Sequence, residues 1–280
     1  MALPAGWADG ASVDFEREYD NRARWPHFAG YFRAWREGSA VVRARPGSQL
    51  DRRYGPDPGQ RVDLFGQAPG RAWLVFFHGG YWRALDKDDF SFVAGRLTEE
   101  AGIAVAIVNY DLCPAVTLER QVEQCREAID WIGREVASEL LVAGHSAGGH
   151  QAAMLLATDW RARGHARDPL TGVVSLSGLF ELAPLAHTAM NTDLRIDEQV
   201  AATLSPARLA RWSQAPLVLA VGELESDEFH RQSAALARAW GETDGVQSVA
   251  GANHFTVLDA LADPASSLWQ RVRERGLLRR

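Results

Sequence analysis

Leu140-Leu141-Val142-Ala143-Gly144-His145-Ser146-Ala147-Gly148-Gly149-His150 passes from an apolar run through a string of small residues into a helix-like stretch, Gln151 to Thr158. Placed between a strand and a helix, the Gly-x-Ser-x-Gly core marks a sharp reversal of the chain. Only small residues two positions either side of the serine let the backbone bend so tightly, and the strain lifts the hydroxyl clear of the sheet. Gly144 and Gly148 supply that room, which makes Ser146 the candidate nucleophile. Without its flanks the same pattern is an ordinary glycine-rich turn; the strand before it and the helix after it favour catalysis.

Outward from this elbow, the chain from Arg71 onward alternates short β-rich runs with helical patterns, as a parallel sheet covered on both faces requires. Strands are expected at Ala72 to Phe77, Ile103 to Asn109, Leu140 to Ala143, Gly172 to Leu176, Leu217 to Val221 and Val246 to Val249, with Arg61 to Phe65 as an earlier antiparallel edge. Their continuous Val, Ile, Leu and Phe content fits burial on two sides. Leu118, Val122, Cys125, Ile129, Ile132 and Val136 recur at spacings of three and four, a core stripe on a helix opposed by Glu119, Glu123 and Glu127. Asp227 to Trp240 and Pro264 to Arg275 are expected as further helices, the second with its proline in the first turn. Asp14 to Val42 is aromatic and charged, with helical patterning broken near Pro26, and fits a cap or an arm. The stretch from Phe180 to Arg211 is poorly periodic and fits short helices over the edge where an open α/β sheet binds ligands. The expected organisation is one α/β domain over residues 1–280, with 1–50 as the helical arm or cap and 180–212 as a candidate lid.

Composition bounds the partners. The chain has 280 residues, 46% of them hydrophobic, enough for a single large core. Its 30 basic and 36 acidic residues give a net charge of −6 without a basic stripe, so nucleic acid is not an expected partner. Met1 to Val13 lacks the cationic start and apolar segment of a signal peptide, and no apolar run approaches bilayer length. Two cysteines, Cys113 and Cys125, are too few for a disulfide framework, so a reduced, cytoplasmic protein without membrane contact is expected. Neither thiol has a histidine nearby in sequence, and both are assigned to packing or loop lining. The ten tryptophans are core, cap or pocket residues.

A serine nucleophile needs a base, and the base needs a third group to hold it. His254, in Ala252-Asn253-His254-Phe255, follows the last short strand, where a loop can place an imidazole on Ser146. A solvated loop histidine is the alternative; the order serine, acid, histidine along the chain favours catalysis. Between them, Gly222-Glu223-Leu224-Glu225-Ser226-Asp227-Glu228 offers four carboxylates. Glu225 stands in the loop before the helix and is the preferred acid. Asp227 has a capping role open to it and remains the alternative. For the oxyanion, one backbone donor is Ala147; Phe77-His78-Gly79-Gly80-Tyr81-Trp82 supplies the second, with Gly80 and Tyr81 the favoured donors and His78 as loop support. Trp82, Phe180 and Phe255 are candidate walls for an aromatic leaving group, with core filling as the alternative for each.

These residues resemble the α/β-hydrolase superfamily, and His78-Gly79-Gly80-Tyr81-Trp82 with Gly144 to His150 look like the motifs of the kynurenine formamidase (arylformamidase) family. Glu18-Tyr19-Asp20-Asn21-Arg22-Ala23, Tyr54-Gly55-Pro56, Arg83 to Lys87, Glu225 to Phe229 and Asn253-His254-Phe255 extend the resemblance over most of the chain. The resemblance implies an α/β-hydrolase fold with a mostly parallel central sheet, helices on both faces and an N-terminal helical arm. It also implies an acid three residues after the strand-ending glycine, which is Glu225; some relatives carry aspartate there, and this departure keeps Asp227 open. The implied substrate is small and aromatic, N-formyl-L-kynurenine, hydrolysed without metal or organic cofactor. A carboxylesterase of small acyl esters is the enzymatic alternative, and a non-catalytic binding protein on the same fold the alternative of another class. The oligomeric state is undetermined, with a homodimer open.

Overall fold

The computed structural model describes residues 13–68 and 70–278; the residues on which the leader expectation mainly rests, 1–12, lie outside that range. Helices α1 (Phe15–Tyr19), α2 (Asn21–Arg24) and α3 (Phe28–Arg43) open the described chain. Asp14 caps α1 by accepting from Arg17 N, and Asp20 caps α2 by accepting from Arg22 N and Ala23 N. Pro26 falls between α2 and α3, where its missing N–H breaks nothing.

One sheet of eight strands follows, in the order β1-β2-β4-β3-β5-β6-β7-β8. The strands are β1 (Gln49–Arg53), β2 (Arg61–Phe65), β3 (Trp73–Phe77), β4 (Ala104–Val108), β5 (Leu140–His145), β6 (Leu170–Leu176), β7 (Leu217–Gly222) and β8 (Val246–Val249). From β4 to β8 neighbouring strands are parallel; β2 joins β4 antiparallel and β1 joins β2 antiparallel. The sequence does not show β1, because Gln49-Leu-Asp-Arg-Arg is exposed at all five positions and carries no apolar alternation. Its charges suit an edge that must not pair with another chain.

The pleat divides the core in two. Trp73, Val75 and Phe77 of β3 pack on one side with α5 (Leu118–Glu135), α6 (Ala147–Leu156) and α9 (Asp227–Ala239), while Leu74 and Phe76 meet α3, α4 (Ala94–Glu99), α10 (Val257–Ala262) and α11 (Ser267–Glu274) on the other. Burial on both faces explains why β3 to β7 are apolar without alternation. The helix expected from Pro264 begins later: Ser266 caps it by accepting from Trp269 N, and the proline precedes the helix rather than occupying its first turn. Between β6 and β7 the chain forms only short helices, among them α7 (Asn191–Leu194) and α8 (Glu198–Thr203).

Register brings the site together. Phe77 pairs with Gly144, His145 with Leu176, Leu176 with Ala220 and Gly222 with Val249, so the segments after β3, β5, β6, β7 and β8 leave the sheet at one edge. That edge is where open parallel sheets place their ligands.

Candidate active site

Ser146 sits between β5 and α6 with φ 56° and ψ −118°, a conformation costly for a residue with a side chain. The two glycines explain how it is held. A Cβ at Gly144 would lie 1.9 Å from the Gly148 carbonyl oxygen, and one at Gly148 would lie 1.9 Å from that of Phe77. Ser146 N donates to Leu176 O at 2.8 Å, tying the elbow to β6.

His254 and Glu225 meet although 29 residues separate them. His254 Nδ1 donates to Glu225 Oε2 at 2.6 Å, which leaves Nε2 bare to accept a proton. The other carboxylate oxygen, Oε1, accepts from Gly222 N at 2.8 Å and from the Ser177 hydroxyl. Glu225 is therefore locked at both ends. Asp227 is exposed in the first turn of α9 and makes no bond to His254, so the alternative acid is corrected: the carboxylate that meets His254 Nδ1 is that of Glu225. His145 Nε2 donates to the His254 carbonyl at 2.8 Å, steadying the histidine from its backbone side.

Gly79, Gly80, Tyr81, His145, Ser146 and His254 line one cleft of about 430 Å³. A Cβ on Gly79 would come within 3.2 Å of Ser146 Cβ, and one on Gly80 within 2.0 Å of Ala84 O. Gly80 O accepts from Arg83 N and Ala84 N, closing a turn. Within the described residues the N–H groups of Gly80, Tyr81 and Ala147 have no hydrogen-bond acceptor, the state expected of donors kept for a ligand. His78 Nδ1 donates to Gly79 O at 2.7 Å, and Tyr110 donates from its hydroxyl to His78 O at 2.7 Å, so His78 supports the loop.

The arm forms the opposite side. Tyr19, Phe32 and Trp35 join Tyr81, Phe90 and Phe255 around the cleft. Tyr81 donates from its hydroxyl to Tyr19 O at 2.7 Å and accepts from Asn21 Nδ2 at 3.2 Å, fastening the arm to the glycine loop. Of the three proposed walls only Phe255 lines the cleft. Trp82 is wholly buried, with Nε1 donating to His150 Nδ1 at 3.2 Å; Phe180 is wholly buried in the core on the α5 and α6 side of the sheet. Both are corrected to core residues.

A sequence profile described as the alpha/beta hydrolase fold matches residues 74–239, more than half of the chain. The chain belongs to the α/β-hydrolase fold family. This α/β hydrolase is 29% identical to a kynurenine formamidase of Salmo salar, over 92% of its own length and 94% of that protein. It is 29% identical to the carboxylesterase/phospholipase LipF of Mycobacterium tuberculosis over 54% of its length and 39% of that protein. Among solved structures, a candidate thioesterase of Silicibacter sp. TM1040 is 31% identical, with a TM-score of 0.80, over 92% of this chain and 98% of that one.

Several polar residues of this hydrolase escape sequence reasoning. Ser177, at φ 51°, gives its hydroxyl to Glu225, and nothing in Leu176-Ser177-Gly178 announces that role. His145 and His150 are buried, and burial pushes His150 down to about 4 and His145 well below its ordinary value. Both therefore stay neutral near pH 7. Cys113 and Cys125 are buried free thiols; burial pushes Cys113 up to about 11 and Cys125 well up, which keeps them protonated. Among the described residues no group of three or more His, Cys, Asp or Glu is arranged to hold a metal ion, and no helix is long and apolar enough to cross a membrane.

Proposed function

We propose that this α/β hydrolase is a serine hydrolase of aryl formamides, with N-formyl-L-kynurenine as substrate and L-kynurenine and formate as products. The observation that carries it is similarity to a kynurenine formamidase along 92% of the chain, joined to a cleft whose floor holds Ser146 and whose sides are aromatic rings. Its volume falls within the range of roughly 300–1,000 Å³ common for small-molecule sites.

In this mechanism Ser146 Oγ attacks the formyl carbon as His254 Nε2 takes its proton. The tetrahedral oxyanion accepts from the N–H groups of Ala147 and of the Gly80 and Tyr81 loop. Glu225 holds the imidazolium that forms and fixes the tautomer. Protonated His254 then gives its proton to the aryl nitrogen as the C–N bond breaks, because an amide anion is a very poor leaving group. Water next attacks the formyl-serine while His254 takes one of its protons, and return of that proton to Ser146 Oγ releases formate. No step in this sequence calls for a cofactor.

The second reading, a carboxylesterase of small acyl esters, is favoured by the partial similarity to LipF and uses the same residues. Steady-state kinetics on N-formyl-L-kynurenine beside short p-nitrophenyl esters decides between them. A higher kcat/KM on the formamide supports the proposal; turnover confined to the esters overturns it. A protein that binds without catalysis would not take a fluorophosphonate label that Ser146→Ala abolishes.

A further inference from the structure

Tyr19-Asp20-Asn21-Arg22 stands in the cleft wall, yet the chemistry above uses none of its side-chain charges. Arg22 lines the cleft, is exposed, and has no acidic partner among the described residues. The other arginine of that wall, Arg83, is by contrast ion-paired to Asp193. The Arg22 guanidinium lies over the rings of Phe28 and Phe32, 5.3 and 5.7 Å from their centroids. Stacked in that way, it keeps its in-plane N–H donors free for a carboxylate. Asp20 Oδ1 accepts from Arg22 N at 3.1 Å and from Ala23 N at 2.9 Å, which fixes the backbone that carries this arginine.

A ladder of contacts runs from the reaction centre to Arg22. The His254 ring is 5.9 Å from that of Phe255, Phe255 is 5.6 Å from Phe32, and Phe32 is the ring beneath the guanidinium. From the cleft floor outward the order is imidazole, aromatic wall, cation. Two carboxylates without an ion pair among the described residues, Glu16 and Asp20, border the same cleft, whereas Asp193 is taken by Arg83.

We propose that Arg22 and these two carboxylates form a subsite for a zwitterionic α-amino acid head group on the leaving side of the substrate, with Arg22 taking its carboxylate and the acidic side chains facing its ammonium. The inference rests on the formamidase reading, and it matches that substrate in sequence of groups: scissile formamide, aryl ring, amino acid. It makes Arg22 a determinant of specificity rather than of bond cleavage.

The test compares kcat/KM for N-formyl-L-kynurenine with that for formanilide, a neutral aryl formamide without the head group, in the wild type, Arg22→Gln and Arg24→Gln. Arg24 neighbours Arg22 but faces Glu18 and does not line the cleft. The wild type is expected to prefer the amino acid substrate, and Arg22→Gln to lose about tenfold of that preference, chiefly through KM, as loss of one charge-assisted hydrogen bond predicts. Arg24→Gln is expected to retain it. The methyl ester of N-formyl-L-kynurenine tests the same contact on the wild-type enzyme and should lose a similar factor. A preference within about twofold of wild type in Arg22→Gln, or a methyl ester cleaved as well as the acid, overturns the subsite. Equal turnover of both formamides by the wild type overturns the subsite and leaves the formamidase reading standing. Turnover of p-nitrophenyl acetate with neither formamide cleaved overturns both.

Discussion

Replacing Glu225 by glutamine changes a single atom, yet the geometry requires it to reverse the histidine. The carboxylate accepts at both oxygens, from His254 Nδ1 at 2.6 Å on one side and from Gly222 N and Ser177 Oγ on the other. A glutamine must aim its NH₂ at one of these. Gly222 N–H is a backbone donor and cannot turn into an acceptor, so the amide oxygen stays with it and the NH₂ faces the imidazole. His254 Nδ1 then has to be the acceptor, the proton moves to Nε2, and the nitrogen that should take the Ser146 proton is already occupied. In a triad whose acid only fixes tautomer and charge, this change costs roughly 10⁴-fold in kcat, equal to about 5 kcal/mol of transition-state stabilisation. The variant should remain folded, because it leaves the buried volume nearly unchanged and no cavity behind.

The assay is kcat on a p-nitrophenyl ester and on N-formyl-L-kynurenine, with a thermal melt to show that the fold persists. Asp227→Asn, exposed on α9, serves as the paired control and should stay within about twofold of wild type. A folded Glu225→Gln enzyme that retains a tenth or more of its kcat, roughly three orders above expectation, refutes the tautomer reasoning. So does a larger loss in Asp227→Asn than in Glu225→Gln.

Trp82→Phe removes the donor to His150 Nδ1 in a closed interior, and stability should fall by about 1–3 kcal/mol while KM for the aryl substrate stays put; denaturant titration and kinetics measure both, and a raised KM would return Trp82 to the cleft. Gly148→Ala drives a Cβ to 1.9 Å from Phe77 O and should cost about 3 kcal/mol or more, seen as loss of soluble protein or a much lower melting temperature; near-wild-type stability would mean that the elbow can open to admit a methyl group. Acid should weaken the fold through the buried histidines. His150 is pushed down to about 4 in the folded protein and His145 also lies well below its ordinary value, whereas both titrate near 6.5 when unfolded. Between those limits the unfolded chain binds more protons, so stability is complete above about pH 6.5 and is lost as pH falls toward 4, with about 3 kcal/mol at stake for His150. Urea midpoints at pH 7, 5.5 and 4.5 report this directly, and a flat series would contradict it.

What the sequence disclosed and what it hid divide by how local the physics is. Ser146 is legible because its constraint lies within five residues: a side chain at Gly144 or Gly148 collides with backbone only a turn or one strand away. The strands β3 to β7 are legible because burial on both faces needs continuous apolar runs whatever the neighbours are. In sequence, Glu225 is separated from Asp227 only by its place in the loop after β7 and by the capping role open to Asp227, because both carry the same carboxylate. Placement at the sheet edge separates them, because Ser177 from β6 and His254 from the loop beyond β8 both converge on the first.

Trp82 and Phe180 mark the limit of that approach. Trp82 directly follows the glycine loop, and nearness along the chain favours a place in the cleft, yet α6 presents His150 as the acceptor of its indole N–H and the ring is drawn into the core. The vacancy it leaves in the wall is filled from more than 40 residues away, by Phe32 and Trp35 on α3, whose helical pattern shows an apolar face without naming what that face covers. An elbow can be written into five consecutive letters because steric exclusion acts at the range of one turn. A binding wall is the common surface of segments that meet only after folding, so its aromatic residues carry in their own neighbourhood no sign that separates them from core.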